Sequence, residues 1–173
     1  SLDPYLIETL CLAHDIGHPP FGHGGEIALH YMMHQHGGFE GNGQTFRIVT
    51  RLEPYTAEHG MNLSRRSVLG LVKYPNFIDT LTNQDIVPAD DLRMRQVKAE
   101  NWHPPKGLFR CDENLFDWLL DPLKPEERDA FMAYNQSDSK HGTTRHKSFD
   151  CSVMELADDI AYGIHDLEDA IVM

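Results

Sequence analysis

Cys11-Leu12-Ala13-His14-Asp15-Ile16-Gly17-His18-Pro19-Pro20-Phe21-Gly22-His23-Gly24-Gly25-Glu26 decides how the chain folds and where its chemistry lies. Upstream of His14, the residues Leu6, Ile7, Leu10 and Leu12 carry the apolar spacing of a helix. That helix is expected to run to about Asp15. Asp3 serves as its N-cap and Pro4 occupies the first turn, where a missing N–H costs nothing. Gly17 and the Pro19-Pro20 pair then break it. His14 and Asp15 therefore stand at a helix end, from which both can reach one point. His18, His23 and Glu26 follow closely, between glycines that let small ligands approach the backbone. A His-rich surface turn is the weaker reading, because turns draw on Asn, Asp, Ser and Gly and have no use for imidazole. Neutral imidazole and carboxylate are the ligands that borderline or hard divalent cations prefer.

At 173 residues and a net charge of −12 with His neutral, the chain is one domain by size, residues 1–173, with enough length for a core. No apolar run approaches the length of a membrane span, and no stretch has the pattern of a secretory leader. The three cysteines, Cys11, Cys111 and Cys151, are odd in number and lack metal-site spacing. They read as reduced, buried thiols of a cytoplasmic protein. So acidic a chain is a poor generic partner for nucleic acid, and an equally poor attractor of polyphosphate. A phosphate substrate would need a bound cation and a few placed positive side chains. The acidic run Pro125-Glu-Glu-Arg-Asp129 reads as solvated surface.

Beyond the opening motif the pattern is helical throughout. A second helix is expected near Gly25, with Ile27, Ala28, Tyr31 and Met32 on one face. His30, His34 and His36 then read as a polar face ahead of the Gly37-Gly38 stop, in preference to extra metal ligands. Gly38 to Gly43 is expected to be a loop. The helix after it directs Phe46, Ile48, Val49 and Leu52 inward, and Glu40, Asn42, Gln44 and Arg47 cluster at its start. Such a start favours anions, and Asn42 there reads equally well as an ordinary cap. A helix opening at Asn62-Leu-Ser, with Val68, Leu69, Leu71 and Val72 inward, is expected to stop at Lys73-Tyr74-Pro75. Pro75 to Lys106 is polar and irregular, as lids and interface loops are. Asp112 to Leu120 and Pro125 to Tyr134 read as short helices, and Gln136 to Lys147 as a flexible polar loop. The last helix begins near Ser148, with Val153, Leu156, Ile160, Ile164, Leu167 and Ile171 as its apolar stripe. Asp158, Tyr162 and Asp166, at i, i+4 and i+8, share a second stripe. No strand is required, so the fold class is all-α.

The opening motif resembles the signature of the HD-domain metal phosphohydrolases. In its longer form, through Gly-His-Gly-Gly-Glu26, it resembles their deoxyguanosine triphosphate triphosphohydrolase branch. Two later segments carry the resemblance further: Phe39-Glu-Gly-Asn-Gly-Gln-Thr-Phe-Arg-Ile48 and Glu155-Leu-Ala-Asp-Asp-Ile-Ala-Tyr-Gly-Ile-His-Asp-Leu-Glu-Asp-Ala170. The match is loose from about Ile78 to His146. The resemblance implies an HD-domain helical bundle in which His14, Asp15 and Asp158 hold Mg²⁺ or Mn²⁺. It implies a phosphate-facing Lys73 beside Tyr74, and a grip on deoxyribose by Tyr162 and Asp166. Lys106-Gly-Leu-Phe sits where relatives have a second basic residue before an aromatic. Some relatives carry His where this chain has Gly41, so this loop is not expected to supply a catalytic imidazole. Relatives are longer at both ends, and the chain is expected to be a piece of a larger subunit. The HD pattern also includes a further His upstream of His14, and residues 1–13 contain none.

A 5′-oxygen leaves poorly as an alkoxide, so phosphoester hydrolysis also needs a proton relay. His23 and Glu26, three apart, suit an imidazole oriented by a carboxylate. His23 is therefore assigned as general acid or base, Glu26 as its orienter, and His18 as a hydrogen-bond donor on the phosphate side. The reaction the resemblance implies is attack of water at the α-phosphorus of a deoxynucleoside triphosphate, dGTP first, releasing deoxynucleoside and inorganic triphosphate. It also implies a homo-oligomer, often hexameric, with a nucleotide or single-stranded DNA as effector and no membrane partner. The competing functions are hydrolysis of a nucleoside monophosphate or another phosphoester, and a non-catalytic nucleotide-binding module.

Overall fold

The computed structural model describes residues 2–86 and 98–172, apart from the side chain of Glu100. Residues 87–97, the middle of the segment expected to be irregular, lie outside the described residues. The main elements are helices: α1 Pro4–Ala13, α2 Gly22–Met33, α3 Gly41–Arg47, α4 Arg65–Leu71, α5 Ile78–Leu81, α6 Glu113–Leu120, α7 Pro125–Phe131 and α8 Phe149–Val172. The chain is all-α, as the sequence pattern requires. The one small sheet among the described residues is a hairpin of β1 Tyr134–Asn135 and β2 Thr143–Thr144, with Tyr134 opposite Thr144. No helix among the described residues is long and apolar enough to cross a membrane.

The helix ends follow local chemistry. Asp3 Oδ1 accepts the N–H groups of Tyr5 and Leu6 at 3.1 and 3.3 Å and starts α1, with Pro4 in the first turn. Ser64 caps α4 by accepting from Ser67 N, and the extended Val72 ends it ahead of Pro75.

Helix α4 lies between two apolar clusters. On one side Leu71 joins Leu10 of α1, Val49, and Cys151 and Met154 of α8. On the other, Val68 and Val72 join Phe46, Phe77, Leu108 and the inner face of α6. Phe77 and Phe116 meet edge to face at 5.5 Å. Burying a side chain such as Leu10, with no exposed surface, contributes about 1.5–3 kcal/mol. Arg66 on α4 donates to both oxygens of Asp150 at 2.7 and 2.8 Å, which fixes the start of α8.

The structure departs from the sequence pattern at several elements. Helix α2 begins at Gly22, ahead of Gly25, and its one fully buried residue is Glu26 while Met32 is exposed. The reason is its neighbour: α2 packs on the turn Ala99–Trp102, with Tyr31 edge-on to Trp102 at 4.8 Å, and its inward gap holds an ion pair. Helix α3 begins at Gly41, inside the expected loop, because Glu40 caps it. Leu52 follows in a π-helical turn, Ile48–Leu52, which swings it into solvent. Tyr134 leaves α7 for the hairpin, and the segment 136–147 is pinned. Gly142 N donates to Leu81 O at 2.7 Å, and Asn83 Nδ2 donates to Ser137 O at 3.0 Å. Cys111 is exposed and Cys11 partly so; Cys151 alone is fully buried, which pushes its thiol up to about 12. The expected apolar stripe of α8 is not its buried face: Val153 is only partly buried, and the helix instead buries Asp150, Cys151 and Met154. Leu156, Ile160, Ile164, Leu167 and Ile171 are exposed, because α1 and α4 cover only the first turns.

Candidate active site

The loop after α1 is seated on α3 by one glycine and one hydroxyl. Gly17 N donates to Thr45 Oγ1 at 3.0 Å, and the same hydroxyl reaches the His14 carbonyl at 3.1 Å. A Cβ on Gly17 would lie 2.1 Å from Thr45 N, so only glycine lets the two segments meet. This contact sets His14, Asp15 and His18 in front of α8.

His14 is oriented from behind. Its Nδ1 lies 2.8 Å from the Cys11 carbonyl, which can only accept, so Nδ1 carries the hydrogen. In the neutral ring Nε2 then holds the lone pair. That atom is buried and has no hydrogen-bond partner. It lies 3.3 Å from Asp15 Oδ2 and 3.4 Å from Asp158 Oδ2, near enough to feel both charges but not aligned for a hydrogen bond. Asp158 comes from α8, and its Oδ2 is also 4.0 Å from Lys73 Nζ. His18 Nδ1, likewise buried and without a hydrogen-bond partner, stands 3.2 Å from Asp15 Oδ1. The His18 ring lies over Gly41, where a Cβ would come within 3.0 Å of it. His14, Asp15 and Asp158 thus meet through His14. Among the described residues no group of three or more His, Cys, Asp or Glu side chains closes into a metal-holding arrangement.

The second half of the site is built on α2 and α3. His23 Nδ1 lies 3.2 Å from Glu26 Oε2, and the His23 side chain is 75% exposed. Its Nδ1–H donates to the carboxylate, so in the neutral ring Nε2 holds the lone pair. Glu26 is 1% exposed, and every oxygen is served: Gly41 N donates to Oε1 at 2.9 Å and Lys106 Nζ to Oε2 at 2.7 Å. Burial alone would push the Glu26 carboxyl up, but Lys106, the Gly41 N–H and His23 outweigh it and hold the group below its ordinary value. Glu40, 0% exposed, accepts from Asn42 Nδ2 and Gly43 N, each at 2.7 Å. There burial wins, and the carboxyl is pushed up. Asn42 is therefore neither the helix cap nor a solvent-facing side chain: it donates to the cap, Glu40.

Lys73 and Tyr74 point to different halves. Lys73 faces Asp158, and Tyr74 lines a cavity of about 700 Å³ together with Lys106, Lys140, His141, Thr143 and Thr144. Burial first, then the charges of Glu155 and Glu40, push the Tyr74 phenol up to about 12, so it remains a hydrogen-bond donor. Tyr162 is 61% exposed, and Asp166 too faces solvent, one and two helical turns beyond Asp158 on α8. Lys106 and Glu40 are the participants that the sequence motifs single out least. A lysine before an aromatic is the only signal for Lys106, and a carboxylate two residues before Asn42 the only one for Glu40. The Ser139–Thr144 wall of the cavity carries no motif.

No family model matches the chain. Curated relatives do. A deoxyguanosinetriphosphate triphosphohydrolase-like protein of Vibrio vulnificus strain YJ016 is 61% identical over 171 residues, 97% of this chain and 38% of its own length. Proteins of the same name from Vibrio parahaemolyticus, 60% identical, and Aliivibrio salmonicida, 58% identical, each share 97% of this chain. The chain spans about 38% of the length of the curated relatives it matches. Over that span the chain belongs to the family of deoxyguanosinetriphosphate triphosphohydrolase-like proteins.

Proposed function

We propose that the chain carries the centre of a metal-dependent hydrolase that converts a deoxynucleoside triphosphate, dGTP first, to deoxynucleoside and inorganic triphosphate. The relatives' name supports the substrate. The observation that carries the metal is His14: a buried Nε2 lone pair facing two carboxylate oxygens at 3.3 and 3.4 Å. Three electron-rich atoms this close repel one another unless a cation or a proton lies among them. The donor set of one imidazole and two carboxylates suits Mn²⁺ or Mg²⁺. Asp15 is half exposed and has room to turn toward such an ion. When bound, the ion supplies Lewis acidity to a phosphoryl oxygen and acidifies water.

The remaining chemistry belongs to the side chains. Lys73, beside Asp158, offsets phosphate charge. Tyr74 and His18 donate hydrogen bonds to phosphate oxygens. His23 holds or moves the proton at Nε2, its ring fixed by Glu26, as hydrolysis at the α-phosphorus requires. Tyr162 packs against the sugar and leaves no room for a 2′-hydroxyl, and Asp166 grips the deoxyribose.

The test uses the full-length protein. Incubated with Mn²⁺ or Mg²⁺ and each dNTP, it is expected to release triphosphate and nucleoside, dGTP fastest, and His14→Ala/Asp15→Ala abolishes release. In the same assay Tyr162→Ala narrows the preference for dGTP over GTP. Absence of triphosphate from every dNTP, or release that survives the double substitution, contradicts the reading.

A further inference from the structure

Lys106 stands between two buried carboxylates that it meets from a distant part of the chain. Its Nζ is 2.7 Å from Glu26 Oε2 and 3.5 Å from Glu40 Oε1. The backbone beside it is anchored, because Leu108 N donates to Asn76 O at 2.8 Å and Leu108 O accepts from Ile78 N at 3.0 Å. Leu108 itself is 2% exposed in the core. The Lys106 side chain is 32% exposed and borders the 700 Å³ cavity beside Tyr74 and Lys140. One ammonium therefore serves two buried carboxylates while touching open space. Moreover, the oxygen of Glu26 that it holds is the oxygen that His23 reaches at 3.2 Å. Lys106 and His23 share one acceptor oxygen, and the ammonium charge offsets the carboxylate charge that the imidazole faces.

We propose that Lys106 is the positioning residue of the His23–Glu26 pair and makes that pair responsive to substrate. At rest the Lys106 ammonium, at Glu26 Oε2, offsets the carboxylate charge and weakens its pull on the imidazole. A polyphosphate entering the adjoining cavity draws the ammonium to itself. Oε2 is then left to His23 alone, and Nε2 becomes the stronger base as substrate arrives. No bond is made or broken in this step; one cation moves from carboxylate to phosphate. The charged and titratable groups facing Glu26 are His23 and His30 from α2, Glu40 from the start of α3, Tyr74 beyond α4, and Lys106. Among them Lys106 alone both contacts the shared oxygen and borders the cavity. The inference rests on the proposed role of the His23–Glu26 pair.

The test needs no turnover. His23 in the full-length protein is modified with diethylpyrocarbonate across a pH series, and the modified peptide is quantified by mass spectrometry. Wild type, Lys106→Met and Lys106→Arg are compared with and without inorganic triphosphate. A newly unshielded carboxylate raises an imidazole's midpoint by about one pH unit. Triphosphate is expected to produce that rise in wild type and in Lys106→Arg. Lys106→Met is expected to show it without triphosphate and to shift no further when triphosphate is added. An unchanged or lowered midpoint in Lys106→Met overturns the inference. So does a triphosphate shift of full size in that variant, which would make the phosphate charge alone responsible. Because the readout is modification, it decides the role of Lys106 even in a protein that hydrolyses no dNTP.

Discussion

The two halves of the site differ in how their polar atoms are satisfied. Around Glu26 and Glu40 every carboxylate oxygen has a donor, from Lys106, His23, Asn42 or the N–H groups of Gly41 and Gly43. Around His14 the reverse holds: Nε2 of His14 and Nδ1 of His18 are buried and lack hydrogen-bond partners, and both face carboxylates. Buried polar groups are normally paired, since leaving one unpaired costs about 1–3 kcal/mol. The Glu26 half is thus satisfied within the protein, whereas the His14 half keeps two buried ring nitrogens facing carboxylates; under the proposed function the first handles the proton and the second the cation.

With the His14 half left intact, the largest effect should come from stripping the relay half alone. Glu26→Gln keeps the shape but removes the charge behind His23, and triphosphate release by the full-length protein is expected to fall about 10²–10⁴-fold. Mn²⁺ affinity should stay as in wild type, since Glu26 contacts none of His14, Asp15 or Asp158. Loss of Mn²⁺ binding would break the division into halves. A smaller effect is expected from Gly17→Ala, which forces a Cβ to within 2.1 Å of Thr45 N. Thermal melts should show a loss of about 1–3 kcal/mol, with weakened Mn²⁺ binding, because this loop seats His14 and Asp15. A full-stability Gly17→Ala protein would deny that the loop is fixed by α3.

The smallest effect is a pH dependence. The Glu26 carboxyl is held below its ordinary value of 4.5 when folded. Its contribution to stability is therefore complete above that pH and lost as the pH falls through the lower folded value. Glu40 runs the other way. Its carboxyl is raised by burial, so its contribution is greatest at low pH and declines as pH rises through the raised folded value. Lys106→Met should cost on the order of 1 kcal/mol at pH 7, roughly 2–4 °C in Tm, and the difference should shrink below pH 4.5. A deficit independent of pH would show that Lys106 acts through packing alone.

Much of this arrangement is legible in the sequence, for identifiable reasons. Asp3-Pro4 and Ser64 announce helix starts, and Gly17 and Pro19-Pro20 announce the break that presents His14 and Asp15. The i, i+3 spacing of His23 and Glu26 gives their contact directly. Asp158 lies near the far end of the chain from His14, and only the resemblance joins them in advance. Periodicity misleads at α8, where it marks an apolar stripe but cannot say how much of the helix is covered. It misleads again at α2, where a buried carboxylate takes the place that pattern reading assigns to apolar residues. Lys106 is hidden for a further reason: an ion pair formed across 80 residues leaves no local trace.

Whether His14, Asp15 and Asp158 form a cation site is settled by Mn²⁺ binding to the full-length protein, measured by titration calorimetry. Wild type is compared with Asp158→Asn and His14→Ala, each confirmed folded by its melt. Saturable binding is expected in wild type, weakened at least about tenfold in each variant, the lower end of what even indirect partners of a metal contribute. Equal affinity in wild type and both variants would rule out a cation site at these residues.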